Sequence, residues 1–226
     1  MKIITIATQK GGAGKTTLAT NLSVASANAN FTTLLVDADP RQRTALDWFN
    51  TREQQENPIV LDAEDHASLD RIINLARQKG IDRVFVDTQG AESNLANQAI
   101  SVANIVLVPC SSSGFDLSAQ RSTGATIQRL KKDASIILTK CPPTGRQEVE
   151  EAKTVLSGLG IHINENKTVY RKDYRESAKY SSSVIEDNPE GKAAAEVKKI
   201  FSWLESRLNN KVLLNELKEG VLDDVI

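Results

Sequence analysis

The chain has 226 residues, of which 40% are hydrophobic and 25% charged, with a formal net charge of −1. This is globular composition at a length that suits one α/β domain, and the near-neutral charge argues against a wholly basic nucleic-acid binder while leaving room for a local basic patch. No run approaches 18 uninterrupted apolar residues, no cleavable leader is read ahead of the first strand, and the two cysteines, Cys110 and Cys141, form no CxxC pair, so a reduced, cytoplasmic chain without a membrane span is expected.

In chain order, Ile3 to Ala7 is a short apolar run, followed by a Gly-rich turn and an Ala/Leu-rich helical segment from Lys15 to about Ala29. Thr33 to Asp37, Ile59 to Leu61, Arg83 to Asp87, Asn104 to Pro109 and Ser135 to Thr139 are further strand candidates. Their continuous β-branched and aliphatic character is that of parallel strands buried on both faces. Between them, Ser68 to Gln78, Asn94 to Val102, Asp116 to Lys132 and Glu148 to Leu156 fit crossover helices. The alternation predicts an α/β fold with a doubly wound, mostly parallel sheet. Polar punctuation falls at the carboxyl ends of the strands, where such sheets bind ligands: Gln9 to Gly14, Asp37 to Arg43, Asp87 to Gly90 and Cys110 to Phe115. A last helix is expected over Gly191 to Leu208, with Ala194, Val197, Phe201, Leu204 and Leu208 on one stripe. The expected division is a domain over 1–208 and an acidic-hydrophobic tail over 209–226, the tail being either a short helix or a disordered end.

A strand, a loop with Gly11, Gly12 and Gly14, and then Lys15-Thr16-Thr17 opening a helix is the physical recipe for a phosphate cradle. Glycines let backbone N–H groups approach oxygen atoms closely, and the helix N-terminus adds unpaired donors and a positive dipole end. Lys15 is placed to reach the β- and γ-phosphates, and the Thr16 hydroxyl to ligate Mg²⁺. The alternative is a chance Gly-rich turn with a surface lysine; the strand before and the helix after weigh against it.

The general pattern G-x-x-x-x-G-K-[ST] calls for glycine at position 9, where this chain has Gln9, and a lysine, Lys10, precedes the double glycine. Lys10-Gly11-Gly12-Ala13-Gly14-Lys15-Thr16-Thr17 resembles the deviant phosphate loop of the ParA/MinD family of ATPases. Asp37-Ala38-Asp39-Pro40 resembles that family's D-x-D-P element, and Val86-Asp87-Thr88-Gln89-Gly90 its second acidic element and switch. Val108-Pro109 with Phe115-Asp116-Leu117-Ser118-Ala119 resembles the segment after its next strand, and Tyr170 to Ser177 its late R-x-x-Y-x-E stretch. The similarity covers about residues 1 to 208. Two positions depart from the family pattern: Arg41 follows Pro40 where glutamine is usual, and Gln89 precedes Gly90 where proline is frequent. They bear on hydrolysis and switching rather than on binding.

The resemblance implies ATP and Mg²⁺ as ligands and assigns roles. Asp39 would orient the attacking water; Asp87, closing an apolar strand, suits a metal-linked role; Asp37 would lie near Mg²⁺ or Lys15; the Gly90 amide would sense the γ-phosphate. The alternative for Asp37 and Asp39 is helix N-capping, which Asp commonly provides after a strand. Lys10 cannot easily serve the same phosphates as Lys15 within one compact loop, and the family's lysine here reaches across a nucleotide-sandwiched homodimer. The alternative is a surface lysine before a turn. Thr139, Lys140 and Cys141-Pro142-Pro143 lie where the base would sit.

The branch is read from the ends and the surface. The expected tail carries Glu216, Glu219, Asp223 and Asp224 against Lys211 and Lys218, which an anionic membrane would repel. The two cysteines offer no Fe–S ligand set. Arg171, Lys172, Arg175 and Lys179 on a late segment, Lys192, Lys198, Lys199 and Arg207 on the last helix, and Arg121, Arg129, Lys131 and Lys132 are candidate phosphate-backbone contacts. Solvated helix faces, offset by Asp173, Glu176, Glu196 and Glu205, are the alternative. The resemblance implies a nucleoid-associated ATPase that binds DNA without sequence preference and answers to a centromere-binding, ParB-like adaptor. A DNA-transfer accessory ATPase is the other reading, and a metabolic P-loop ligase a third that would have no use for Lys10.

Overall fold

The computed structural model of the chain describes residues 1–53, 56–63, 68–91, 93–112 and 117–223, with side chains described as far as Asn210, those of 117 and 118 excepted. Seven strands form one sheet: β1 (Lys2–Ile6), β2 (Thr33–Ala38), β3 (Ile59–Asp62), β4 (Arg83–Thr88), β5 (Ile105–Ser111), β6 (Ala134–Thr139) and β7 (His162–Ile163). Their order is β3-β2-β4-β1-β5-β6-β7, and every pairing is parallel. The expected doubly wound sheet is therefore present, and wholly parallel among the described residues. The chain runs to one side of β1 through β2 and β3 and to the other through β5, β6 and β7, so β1 sits at the switch point where such sheets open a crevice.

Both faces are covered, as the apolar strands require. The residues of β1 alternate: Ile4 and Ile6 pack on one face with α1 (Lys15–Asn28), α2 (Thr44–Asn50), α8 (Val184–Asp187) and α9 (Lys192–Asp223), while Ile3 packs on the other. In β4, Phe85 lies on the α1 face and Val84 and Val86 on the opposite one. That second face is closed by α3 (Leu69–Gln78) and α4 (Asn94–Val102) beside β2 and β4, and by α5 (Leu117–Arg129) and α6 (Arg146–Ser157) beside β5 and β6. Ser68, read from sequence as the first residue of a helix, is the N-cap of α3 and accepts from the Arg71 amide at 3.2 Å.

Four further elements escape the periodicity argument, the four-residue α8 with its Ser183–Glu186 capping box among them. α2 has seven residues and no local cap; Arg43 before it is left-handed at φ 47°, and the Ala45 and Leu46 amides donate instead to Asp37 Oδ2 at 2.9 and 3.0 Å. α7 (Lys172–Lys179) is polar almost throughout and buries Ser177 alone. β7 is two residues long. At the C-terminal end, Ala194, Val197, Leu204 and Leu208 are buried as expected, with Phe201 packed beside them. The backbone of α9 runs on past Leu208 to Asp223, with no helix boundary between 208 and 209. Phe115 and Asp116, and Asp224 of the tail, lie outside the described residues. No described helix is long and apolar enough to cross a membrane.

Candidate nucleotide site

Strand β1 ends at Ile6 and α1 begins at Lys15, so the glycine loop spans the crevice at the carboxyl end of the central strand. Gly12 and Gly14 have φ of 72° and 90°, a backbone state that a Cβ disfavours. Two residues from the end of β6 hold the loop's outer side: Thr139 Oγ1 donates to the Ala13 carbonyl at 2.8 Å, and Lys140 Nζ to the Gly12 carbonyl at 2.6 Å. No side chain caps the first turn of α1, whose amides are therefore left for an incoming anion. Above the loop lies a cleft of about 340 Å³, bordered also by Asp39 and Arg41 from the β2–α2 segment and by Gln89 and Gly90 from the end of β4.

Inside the cleft, Lys15 is buried and its ammonium donates to the Lys10 carbonyl at 3.3 Å. Burial pulls the Lys15 pKa below the usual lysine value, and the neighbouring Asp87 and Asp39 carboxylates oppose that shift. The Thr16 hydroxyl donates to Asp87 Oδ2 at 2.6 Å. Asp87 is 1% exposed, and burial raises its pKa to about 7, with the Thr16 hydrogen bond acting against the shift. Asp87 Oδ1 is buried without a hydrogen-bond partner. An unmatched carboxylate oxygen beside a loop threonine is what a small, hard cation would satisfy. Among the described residues no cluster of three His, Cys, Asp or Glu side chains could hold a metal unaided. The arrangement thus fits Mg²⁺, which keeps few protein ligands and shares the rest with phosphate oxygens and water.

Asp37 and Asp39 differ in what they contact. Both oxygens of Asp37 are taken by backbone: Oδ1 by the Asp39 amide at 3.0 Å, Oδ2 by the two amides that open α2. Burial raises its pKa, and those amide bonds counter it. Asp37 thus caps α2 from eight residues away in sequence, the alternative raised for it, while its charge also acts on the Asp87 carboxyl. Asp39 borders the cleft, and its Oδ1 accepts from the Arg41 and Gln42 amides, both at 3.2 Å, which fixes the carboxylate in a tight turn. Gly90 is packed against the loop: a Cβ there would stand 3.0 Å from Lys15 Nζ and 3.1 Å from Gly11 Cα and N. Gly11, Gly12, Gly14, Lys15, Thr16, Thr17, Asp39 and Gly90 therefore meet in one place. Ala13 is buried beneath the loop, and Lys10 does not line the cleft; its positive charge acts instead on the buried Cys110 thiol, whose pKa burial pushes up to about 11.

A second cavity, of about 200 Å³, opens beside the first, with Leu18, Thr139, Lys140, Val169 and Tyr170 among its walls. Thr139 and Lys140 are where the base was expected; the Val169-Tyr170 wall was missed. Its sequence signal was the apolar-aromatic pair just ahead of Arg171. The candidate DNA contacts fall into two kinds. Arg171 is half-buried and paired with Glu196 at 2.8 Å, an acid that also accepts from the Val169 amide and the Tyr174 hydroxyl, both at 3.0 Å. These bonds join the start of α7 to the start of α9. Lys172, Arg175, Lys198 and Lys199 are exposed; the Arg175 guanidinium lies 5.9 Å from the Tyr170 ring centre and Lys198 Nζ donates to the Pro189 carbonyl at 2.7 Å.

Comparison with known proteins agrees with this architecture. A family model described as an AAA domain matches residues 1–144. Protein ParA of Rhizobium radiobacter is 29% identical over 183 residues, spanning 77% of this chain and 81% of that protein. Protein VirC1 of the same species is 29% identical over 154 residues, 65% of this chain and 67% of that one. The ATP complex of an McdA variant from Cyanothece has the same fold, with a TM-score of 0.70 at 17% identity over 92% of this chain and 96% of that one. The deviant phosphate loop, the Thr16–Asp87 hydrogen bond, the parallel sheet and these matches together place the chain in the ParA/MinD family of deviant Walker-A P-loop ATPases.

Proposed function

We propose that this chain binds Mg²⁺–ATP in the glycine-loop cleft, forms a homodimer across it, binds DNA without sequence preference in that state, and positions plasmid DNA or another large cargo. Hydrolysis, stimulated by an adaptor such as a ParB-like centromere-binding protein, returns it to the monomer. The protein then works in the cytoplasm, on the nucleoid. The observation that carries this reading is the separation of the two loop lysines. Lys15 is buried in the cleft, whereas Lys10 does not line it, five residues away on the same loop. A second loop lysine, not among the residues bordering the cleft, is suited to the phosphates of a second copy, in the manner of an arginine finger supplied in trans.

Each residue has a part in the chemistry. Lys15 and the uncapped first turn of α1 hold the β- and γ-phosphates. Thr16 and Asp87 would hold Mg²⁺, which neutralises charge on the phosphate oxygens. Asp39, fixed by its turn at the cleft edge, orients the attacking water. Gly90 lies close enough to Gly11 and Lys15 for its segment to register whether the γ-phosphate is present. The apolar second cavity takes the adenosine end. The exposed Lys172, Arg175, Lys198 and Lys199 lie on α7 and α9, whose starts Glu196 joins, and they offer a surface for DNA phosphates. Arg171, tied to Glu196, shapes that surface more than it contacts DNA.

Gln89 favours a second reading, that of an accessory ATPase which recruits a DNA-transfer complex with turnover secondary. It borders the cleft beside Gly90, where proline is frequent in the family. One experiment separates the two. Binding of the wild-type protein to unrelated duplexes is measured with ATP and with ADP across a salt series. The partition reading expects ATP-dependent binding to every duplex, weakening steeply with salt; binding confined to one sequence, or indifferent to nucleotide, contradicts it.

A further inference from the structure

Two arginines close together in the β2–α2 segment are engaged differently. Arg43 Nε lies 3.1 Å from the buried Asp62 carboxylate at the end of β3. Arg41 is exposed and borders the phosphate cleft, and among the described residues its guanidinium has no carboxylate or carbonyl partner. Its backbone is nevertheless held firmly. Pro40 restricts the turn, the Gln42 amide closes it onto the Asp39 carbonyl at 3.2 Å, and the Arg41 amide donates to Asp39 Oδ1 at 3.2 Å. The other cations of the cleft wall, Lys15 and Lys140, are each bonded to a loop carbonyl, of Lys10 at 3.3 Å and of Gly12 at 2.6 Å. Arg41 is thus a charged side chain on a fixed turn, at the edge of an anion cleft and unengaged there.

We propose that Arg41 is a cation supplied in cis: its guanidinium bonds the γ-phosphate oxygens of the ATP held by its own chain. This rests on the proposed nucleotide reading of the cleft. Mg²⁺ and Lys15 neutralise only part of a triphosphate's charge, and the Asp39 and Asp87 carboxylates, both close enough to act on Lys15, add negative charge beside it. A planar guanidinium keeps its charge at every working pH and meets phosphate oxygens in pairs. Arg41 stands where the family usually has an uncharged glutamine, so this is a property of this chain. Two consequences follow from the chemistry. ADP lacks the group that Arg41 reaches, so the residue discriminates between ATP and ADP. The charge on the γ-phosphate is also stabilised within one chain, and Lys10 supplied in trans adds to chemistry that each copy already carries.

Affinities for Mg²⁺–ADP and for a non-hydrolysable ATP analogue with Mg²⁺ are measured by calorimetry on the full chain. Arg41→Ala and Arg41→Gln are each compared with Arg41 in the wild-type background and in Lys10→Ala, with the nucleotide-free melting temperature recorded for every variant. Both substitutions should lower the analogue-to-ADP affinity ratio about 10-fold in both backgrounds, the loss of one charge-assisted hydrogen bond. Melting temperatures should stay at the value of the parent background, because the guanidinium holds nothing in the folded chain. Single-turnover phosphate release should slow about 10-fold or more in Arg41→Ala, as for loss of an arginine finger. An unchanged ratio, or both affinities lowered by one factor, would overturn the proposal. A loss present in the wild-type background and absent from Lys10→Ala would overturn it too, because Arg41 would then act only across a dimer. Failure of the nucleotide reading is distinguishable, since the wild-type protein would then bind neither ligand.

Discussion

Thr16 Oγ1 and Asp87 Oδ2 are 2.6 Å apart, and the other oxygen of the same carboxylate is buried with no hydrogen-bond partner. The pair offers two of the ligands of the proposed cation site. Asp87 is raised to about 7 because burial disfavours its charge. The folded protein therefore keeps a proton that the unfolded chain releases above the ordinary carboxylate range. Stability from this group is fully present below that range and is lost as pH rises towards about 7.

Melting temperatures without nucleotide should accordingly fall between about pH 4 and pH 7, and the fall should be smaller in Asp87→Asn. Mg²⁺–ADP should flatten the dependence, because the cation favours the charged carboxylate. A wild-type profile identical to that of Asp87→Asn would contradict this account of the pair.

Gly90→Ala should lower Mg²⁺–ADP affinity about 10-fold, since overpacking of this kind typically costs 1–3 kcal/mol. The added methyl would meet Gly11 backbone atoms at 3.1 Å and Lys15 Nζ at 3.0 Å. The lysine end can swing away; the loop backbone cannot without deforming the cradle. Titration calorimetry decides, and an unchanged affinity would show that the switch segment is not packed on the loop in solution.

Asp39→Ala should retain ATP-dependent assembly and lose hydrolysis by about 10²-fold, the usual range for a group that orients or deprotonates the attacking water. Phosphate release at the wild-type rate would remove Asp39 from the chemistry. Asp37→Ala should behave differently. It strips the amides at the start of α2 of their acceptor, so the melting temperature should drop before activity does.

That contrast between two nearby aspartates shows what was legible in the sequence. The phosphate loop, six of the seven strands and the long helices were readable because their signals are local: glycines at fixed spacing, continuous apolar runs and helical stripes. For Asp37 capping stands in the sequence only as the alternative to a metal role, because the amides that decide it, those of Ala45 and Leu46, lie across a loop that no periodicity describes. α2 went unread for the same reason, since its cap comes from β2 rather than from the residue before it. α7 hid behind its polarity, with Ser177 its one buried residue. Arg171 reads in sequence as one more surface cation, and only the meeting of α7 with α9 reveals Glu196 as its counter-ion. The Val169-Tyr170 wall of the second cavity likewise depends on the chain returning beside β6, where the Cys141 amide donates to the Thr168 carbonyl at 2.9 Å.

The proposal stands or falls on the state of assembly with ATP bound. Light scattering of the wild-type protein and of Lys10→Ala, each with a non-hydrolysable ATP analogue and Mg²⁺ over a wide concentration range, tests it most directly. The account predicts a wild-type species of twice the 24.7 kDa chain mass, and a Lys10→Ala variant that binds the analogue yet stays at the single-chain mass. A wild-type protein that remains monomeric with the analogue bound, or a variant that dimerises as well as the wild type, would contradict it.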